Sequence, residues 1–186
     1  MKIKYGLRNV WIAEITSVSS TYTYSTPFSI PGAVNLTLTA EGDSDPFYAD
    51  DVQYFVSYAN NGYSGELEVA LLPDAFRTAI LGEMADNNDA LIETASAVTK
   101  SFAIGFEVQG DEKARRTWLY NVTCARPNTD ASTKEASITP QTDTLQITAS
   151  PRVTDQFVKA VMTLTSSNSA AFSSFFSSVY ERVVTP

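Results

Sequence analysis

The chain has 186 residues, 44% of them hydrophobic and 11% aromatic, which suits one packed domain and excludes a wholly disordered chain. Twenty-one Asp and Glu against 13 Lys and Arg give a net charge of −8, the wrong sign for gripping nucleic acid by its phosphates. A single cysteine rules out an internal disulfide and a Cys-based zinc site, and the lack of histidine removes the commonest general base and metal ligand.

In chain order, "MKIKYGLRNVWIAEIT" has no apolar signal region, and no stretch reaches the ~20 apolar residues of a membrane span. The expectation is a soluble protein made in a cytoplasm. "NVWIAEIT" (9–16) alternates, with Val10, Ile12 and Glu14 on one face and Trp11, Ala13 and Ile15 on the other. "TPFSIPGA" (26–33) holds two prolines and a glycine and reads as a connection or an irregular edge. "VNLTLTAEG" (34–42) is a half-buried strand: Leu36, Leu38 and Ala40 point one way, Asn35, Thr37, Thr39 and Glu41 the other.

An acidic loop, "EGDSDPFYADD" (41–51), follows. Its Glu41, Asp43, Asp45, Asp50 and Asp51 could hold calcium, but Tyr48 stands where an EF-hand needs glycine and the closing Glu is missing. "VQYFVSY" (52–58) is a strand, "ANNGYSG" (59–65) a turn closing a hairpin, and "ELEVALL" (66–72) a second strand. In the latter, Leu67, Val69 and Leu71 oppose Glu66 and Glu68. Those two glutamates could serve as a glycosidase pair, or simply be the polar face of an alternating strand. A helix is predicted over about 74–84, with Asp74 as cap and Phe76, Ala79, Ile80 and Met84 in its apolar stripe.

"KSFAIGFEVQG" (100–110) and "RRTWLYNVTCARP" (115–127) form a hairpin with Phe102, Ile104, Phe106 and Val108 inward. Its charged tip "DEKARR" (111–116) is either solvated or paired with another subunit. Cys124 is read as a small buried hydrophobe. The long polar run 124–143 is an arm or a functional loop by its length. "TDTLQITASP" (142–151) turns Leu145 and Ile147 inward and Thr144, Gln146 and Thr148 outward, and "DQFVKAVMTLT" (155–165) is a further strand. Phe172, Phe175, Phe176, Val179, Tyr180 and Val183 recur at helical spacing, which predicts a C-terminal helix. No internal repeat or low-complexity linker occurs. The fold class is mainly β: an antiparallel β-sandwich or barrel of one domain with a flanking helix.

The polar strand faces carry Asn35, Thr37, Thr39, Glu41, Glu66, Glu68, Glu107, Thr144, Gln146 and Thr148. These strands expose hardly any Lys or Arg, whereas solvent-facing strands ordinarily mix both signs; a plain solvent face is the alternative reading. Such a surface would repel a polyanion.

The blocks "YGLRNVWIAEIT", "IPGAVNLTLTAEGDSDPFYADD", "NNGYSGELEVALLPDAF", "ILGEM", "FEVQGDEKARRTWLYNVTCARP" and "PQTDTLQITASPR" resemble, in order and spacing, the major tail protein of siphophages that infect Gram-positive bacteria. The likeness covers about Tyr5 to Arg152. It implies a structural virion protein with no catalytic motif and no cofactor. Its main partner would be itself, in six-fold rings that stack into a hollow tail tube assembled in the host bacterial cytoplasm. Other tail proteins such as the tape measure and terminator would join it, and DNA would pass through without specific binding. The resemblance makes 41–51 (Glu41, Asp43, Asp45, Phe47, Tyr48, Asp50, Asp51) a candidate ring-stacking loop. It makes Thr37, Thr39, Glu66 and Glu68 candidate lumen residues, and the N-terminal segment and 127–143 candidate intersubunit arms. A carbohydrate- or receptor-binding β-sandwich of a virion, using Tyr22, Tyr24 and Tyr63, is the rival reading.

Overall fold

The computed structural model describes residues 3–110, 112–129, 131–133 and 140–183. Its elements are β1 (Lys4–Val18), β2 (Tyr22–Tyr24), β3 (Phe28–Ile30), β4 (Ala33–Glu41), β5 (Ser44–Ala49), β6 (Val52–Tyr58), β7 (Gly62–Val69), α1 (Asp74–Phe76), β8 (Met84–Ala85), β9 (Leu91–Ile92), β10 (Phe102–Gly110), β11 (Arg115–Cys124), β12 (Asp143–Ala149), β13 (Lys159–Thr163) and α2 (Ser169–Ser173). The main sheet is antiparallel, ordered β2-β1-β10-β11-β12-β7-β4, with β3 beside β1 and β13 beside β11. The two partners of β11 divide it: β13 takes Arg115 to Leu119, and β12 takes Val122 to Cys124.

The inner face of this sheet holds the main core. Val10 and Ile12 of β1 meet Leu67 and Val69 of β7, Phe102, Ile104 and Phe106 of β10, Leu119 and Val122 of β11, and Leu145 and Ile147 of β12. Phe76 closes it from the helical side, edge-on to Phe102 with ring centroids 5.8 Å apart. The helix is shorter than its apolar stripe predicts. After α1 the chain widens into a π-helical turn, Arg77–Leu81, and stops at Gly82, whose φ of 75° favours glycine. Pro73 occupies the cap position with no side-chain cap bond, so Asp74 is the first helical residue rather than the cap. Met84 falls beyond the helix and is exposed.

A second core lies on the outer face of β1, β10 and β11. Ala13, Ala103, Trp118 and Tyr120 are covered there by Phe175, Phe176 and Val179 of the C-terminal segment. The predicted helix is only its first turn, α2, but the aromatic stripe is buried all the same, up to an exposed Val183. Serine hydroxyls bond back to carbonyls three and four residues earlier, and the backbone leaves the helix after Ser173. What holds the segment is a series of side-chain clasps. Trp118 Nε1 donates to the Phe175 carbonyl at 2.8 Å, and the Tyr120 hydroxyl to the Tyr180 carbonyl at 2.7 Å. Arg152, 3% exposed, donates to Glu181 at 2.5 and 3.0 Å and to Asp155 at 3.0 Å, with its guanidinium 4.4 Å from the Tyr120 ring centroid.

Three expectations change here. Glu107 is not on a solvent face: it is 1% exposed. Arg8 Nε and Arg116 Nε reach its carboxylate at 2.7 and 2.8 Å, and Asn9 Nδ2 at 3.3 Å. Burial pushes that carboxyl up, but the bonds from Arg116, Arg8 and Asn9 outweigh it and hold it below its ordinary range. The N-terminal segment, a candidate arm, is from Lys4 onward part of β1 and pairs with β10 of its own chain. Leu71, expected inward, lies past the end of β7 and is exposed.

Candidate functional site

The outer face of the sheet is covered by the C-terminal segment over β1, β10 and the first half of β11, and is bare over β4, β7 and β12. The register sets the bare half out in rows. Asn35, Glu68 and Thr144 form one, Thr37, Glu66 and Gln146 the next, and Thr39, Ser64 and Thr148 the third, which Thr123 of β11 extends. Alternation produces this: the same strands bury Leu67, Val69, Leu145 and Ile147 on the other face. The candidate lumen residues Thr37, Thr39, Glu66 and Glu68 therefore do share one surface, with Glu68 half-buried and the others exposed. The 9, 8 and 7 residues of β4, β7 and β12 include Glu41, Glu66, Glu68 and Asp143 but no Lys or Arg. Asp143 points to the core side, where it accepts the Leu72 amide at 2.8 Å.

Neutral neighbours hold the remaining carboxylates in place. Gln146 Nε2 donates to Glu66 at 2.5 Å, Thr142 Oγ1 to Glu68 at 2.7 Å, and the Ser64 hydroxyl to Glu41. Among the described residues no Lys or Arg forms an ion pair with Glu41, Glu66 or Glu68, so these carboxylates stand over a floor of hydroxyls and amides. Close strand approach also requires Gly65 in β7, where a Cβ would lie 1.9 Å from the Thr37 carbonyl oxygen.

The second feature is the acidic segment 41–51, which is not a loop. Ser44 to Ala49 is β5, and it pairs with β6 through Ser44–Tyr58, Asp45–Ser57, Pro46–Val56 and Phe47–Phe55. The turn is Asp50–Asp51, with φ of 50° and 61°, in the left-handed region that Asp tolerates better than most residues. Hence 52–58 folds back on 44–49, and does not form a hairpin with 66–72. Asn60, Asn61 and Gly62 sit at the base, where Asn61 N–H donates to the Glu41 carbonyl at 2.9 Å. Glu41 ends β4 at that base, and Asp43 follows it, accepting the Ala59 amide on its carbonyl at 3.0 Å.

β5 and β6 pair with each other and with no other strand among the described residues. Phe47, Tyr48, Val52, Tyr54, Phe55 and Tyr58 on them are all exposed, Tyr54 and Tyr58 by 77% and 78%. A lone two-stranded hairpin is marginally stable in water, and a large exposed apolar patch marks a contact surface. Alternation could not reveal this, because neither face of β6 is buried by its own chain.

The tyrosines of the rival reading are engaged elsewhere. The Tyr24 hydroxyl donates to the Tyr120 carbonyl at 3.0 Å, and burial pushes it up to about 12. Tyr22 accepts the Val153 amide at 3.2 Å, and Lys159 Nζ lies 4.4 Å above the Tyr63 ring. All three are half-buried. Among the described residues no three Asp, Glu, His or Cys gather as a metal site. Cys124 is half-buried against the main core, and burial pushes its thiol up to about 11. Of the candidate arm 127–143, residues 130 and 134–139 lie outside the described residues, as does Asp111 of the charged tip.

No protein-family model matches the chain, and none of the curated proteins matches it in sequence.

Proposed function

We propose that this chain is the structural subunit of a hollow tube, a phage major tail protein whose copies form six-fold rings stacked around a bore for DNA. The observation that carries the reading is the β5–β6 hairpin. It exposes six large hydrophobic side chains and pairs with no other strand among the described residues, which supports a contact surface for another copy or another protein. Ring formation has a second source of energy in the sheet margins. Among the described residues β4 pairs with a strand on one side only, and an open margin is an association hazard unless a neighbour closes it.

The bare face of β4, β7 and β12 supports the conduit part of the reading. A DNA passage has to avoid holding its cargo, and uncompensated carboxylates over neutral hydroxyls repel phosphate instead of binding it. In this reading Thr37, Thr39, Glu66 and Glu68 line the bore, and the hairpin takes the role expected of the 41–51 segment in joining successive rings. The protein then works without turnover, in a virion tail.

Negative-stain microscopy of concentrated protein tests this. Rings or tubes are expected from the intact chain, and single subunits from a variant in which residues 44–58 are replaced by a short Gly-Ser turn. Glu66→Lys with Glu68→Lys should leave tube length unchanged and impair DNA passage through assembled virions. A protein that stays monomeric at every concentration, in the presence of its own tail partners, refutes the proposal.

A further inference from the structure

The chain distributes its charge unevenly. From Glu41 to Gly65, the stretch that contains the hairpin, there are five carboxylates and no Lys or Arg. At one end of β1, where it meets the β10–β11 turn, a groove of about 470 Å³ has Lys4, Lys113 and Arg115 at its polar rim together with one carboxylate, Glu112. Val108 and Thr163 contribute to its lining. Lys4, Lys113 and Arg115 are exposed and enter no ion pair among the described residues, whereas Arg8 and Arg116 nearby are both taken by Glu107. In a chain of net charge −8, three exposed cations with no ion pair among the described residues gather here.

We infer that this groove receives the acidic, aromatic β5–β6 hairpin of a second copy of the chain. The inference rests on the tube reading and adds the receiving surface to it. Three observations favour that occupant. The hairpin offers carboxylates at its turn, Asp50 and Asp51, next to exposed aromatic rings, and the groove offers cations around a partly apolar lining. None of the groove's lining residues belongs to the hairpin, so one copy does not satisfy itself. A contact between two different surfaces of identical chains is heterologous, and it repeats from copy to copy, as rings and stacks require. Exposed charges act over a Debye length of about 8 Å at physiological ionic strength, which suits steering a projecting hairpin towards its seat.

The test measures the concentration at which tubes form, by sedimentation and microscopy. Lys113→Glu with Arg115→Glu is expected to raise that threshold by about tenfold or more, a loss of ~1.4 kcal/mol per contact. Asp50→Asn with Asp51→Asn, chosen because Asn tolerates the left-handed turn, is expected to raise it in the same direction. Thermal unfolding of both variants should match the parent, which separates lost assembly from lost folding. Because the two surfaces meet, the four-fold variant should be no worse than the sum of a shared contact allows, with effects well short of additive. A protein carrying Val52→Cys mixed with one carrying Lys113→Cys should give a covalent heterodimer on oxidation that neither gives alone. Cys124, with its thiol pushed up to about 11, contributes little background.

Additive effects, an unchanged threshold in the groove variant, or no heterodimer overturn the inference while tubes still form, and leave the tube reading standing. Binding of a DNA oligonucleotide that depends on Lys113 and Arg115, with assembly unaffected, overturns it in favour of a polyanion. Failure of the parent chain to assemble at all overturns both.

Discussion

Replacing Glu107 by Gln perturbs a buried ionic knot. The carboxylate is 1% exposed and serves two guanidinium groups from opposite sides, Arg8 and Arg116. Breaking a buried pair typically costs about 3–5 kcal/mol, because the surviving charge loses its partner without regaining water. The low end applies here, since the Arg8 side chain is 50% exposed and can be solvated, while Arg116 is 18% exposed and cannot. A loss of about 3 kcal/mol in a chain of this size lowers the melting temperature by roughly 6–12 °C. The damage should spread to the C-terminal segment, because Arg116 also donates to the Phe172 carbonyl and stacks 4.2 Å from the centre of that ring.

The assay is thermal unfolding by circular dichroism across pH, with tryptophan emission as a second signal. Trp118 is fully buried beneath the segment and should redden as it loosens. The pH dependence has a definite sign. Glu107 is held below its ordinary range in the folded state, so around pH ~4 the unfolded chain binds more protons than the folded one. The parent's extra stability is present above that region and is lost as pH falls through it, and the Gln variant should show a shallower decline. A melting temperature within about 1 °C of the parent, with the same acid slope, would refute the knot as a stabilising element.

Phe76→Ala empties a fully buried site against Phe102 and should cost about 3–5 kcal/mol, read as a shift in the denaturant midpoint with an unchanged slope. Gly62→Ala should destabilise more than a surface change, because φ is 106° there and a Cβ would lie 1.9 Å from the Ala149 carbonyl oxygen; near-parental stability would mean the β7–β12 register is looser than drawn. Cys124 should react with a thiol reagent at pH 8 on the order of a hundredfold more slowly than a free thiol, and denaturation should restore the ordinary rate.

Where one face of a strand meets the core, local alternation was enough to read it. Leu67 and Val69 against Glu66 and Glu68, and Leu145 and Ile147 against Gln146 and Thr148, follow from period two alone, and so does the cation-poor outer face. Partner choice is a different kind of information. The turn residues Asn60, Asn61 and Gly62 suggested that β6 returns along β7, yet it pairs with β5 through Asp50 and Asp51, and both turns look equally plausible in one dimension. Likewise, nothing local distinguishes Glu107 from Glu66: both are polar positions in alternating strands. Glu107 is buried because the C-terminal segment, some 65 residues downstream, folds over its half of the sheet, and Glu66 stays bare because that cover stops short. Periodicity therefore determined which side chains share a face. Only long-range pairing and packing, whose free energy depends on residues far apart in the chain, decided which of those faces are sealed and which are left for another molecule.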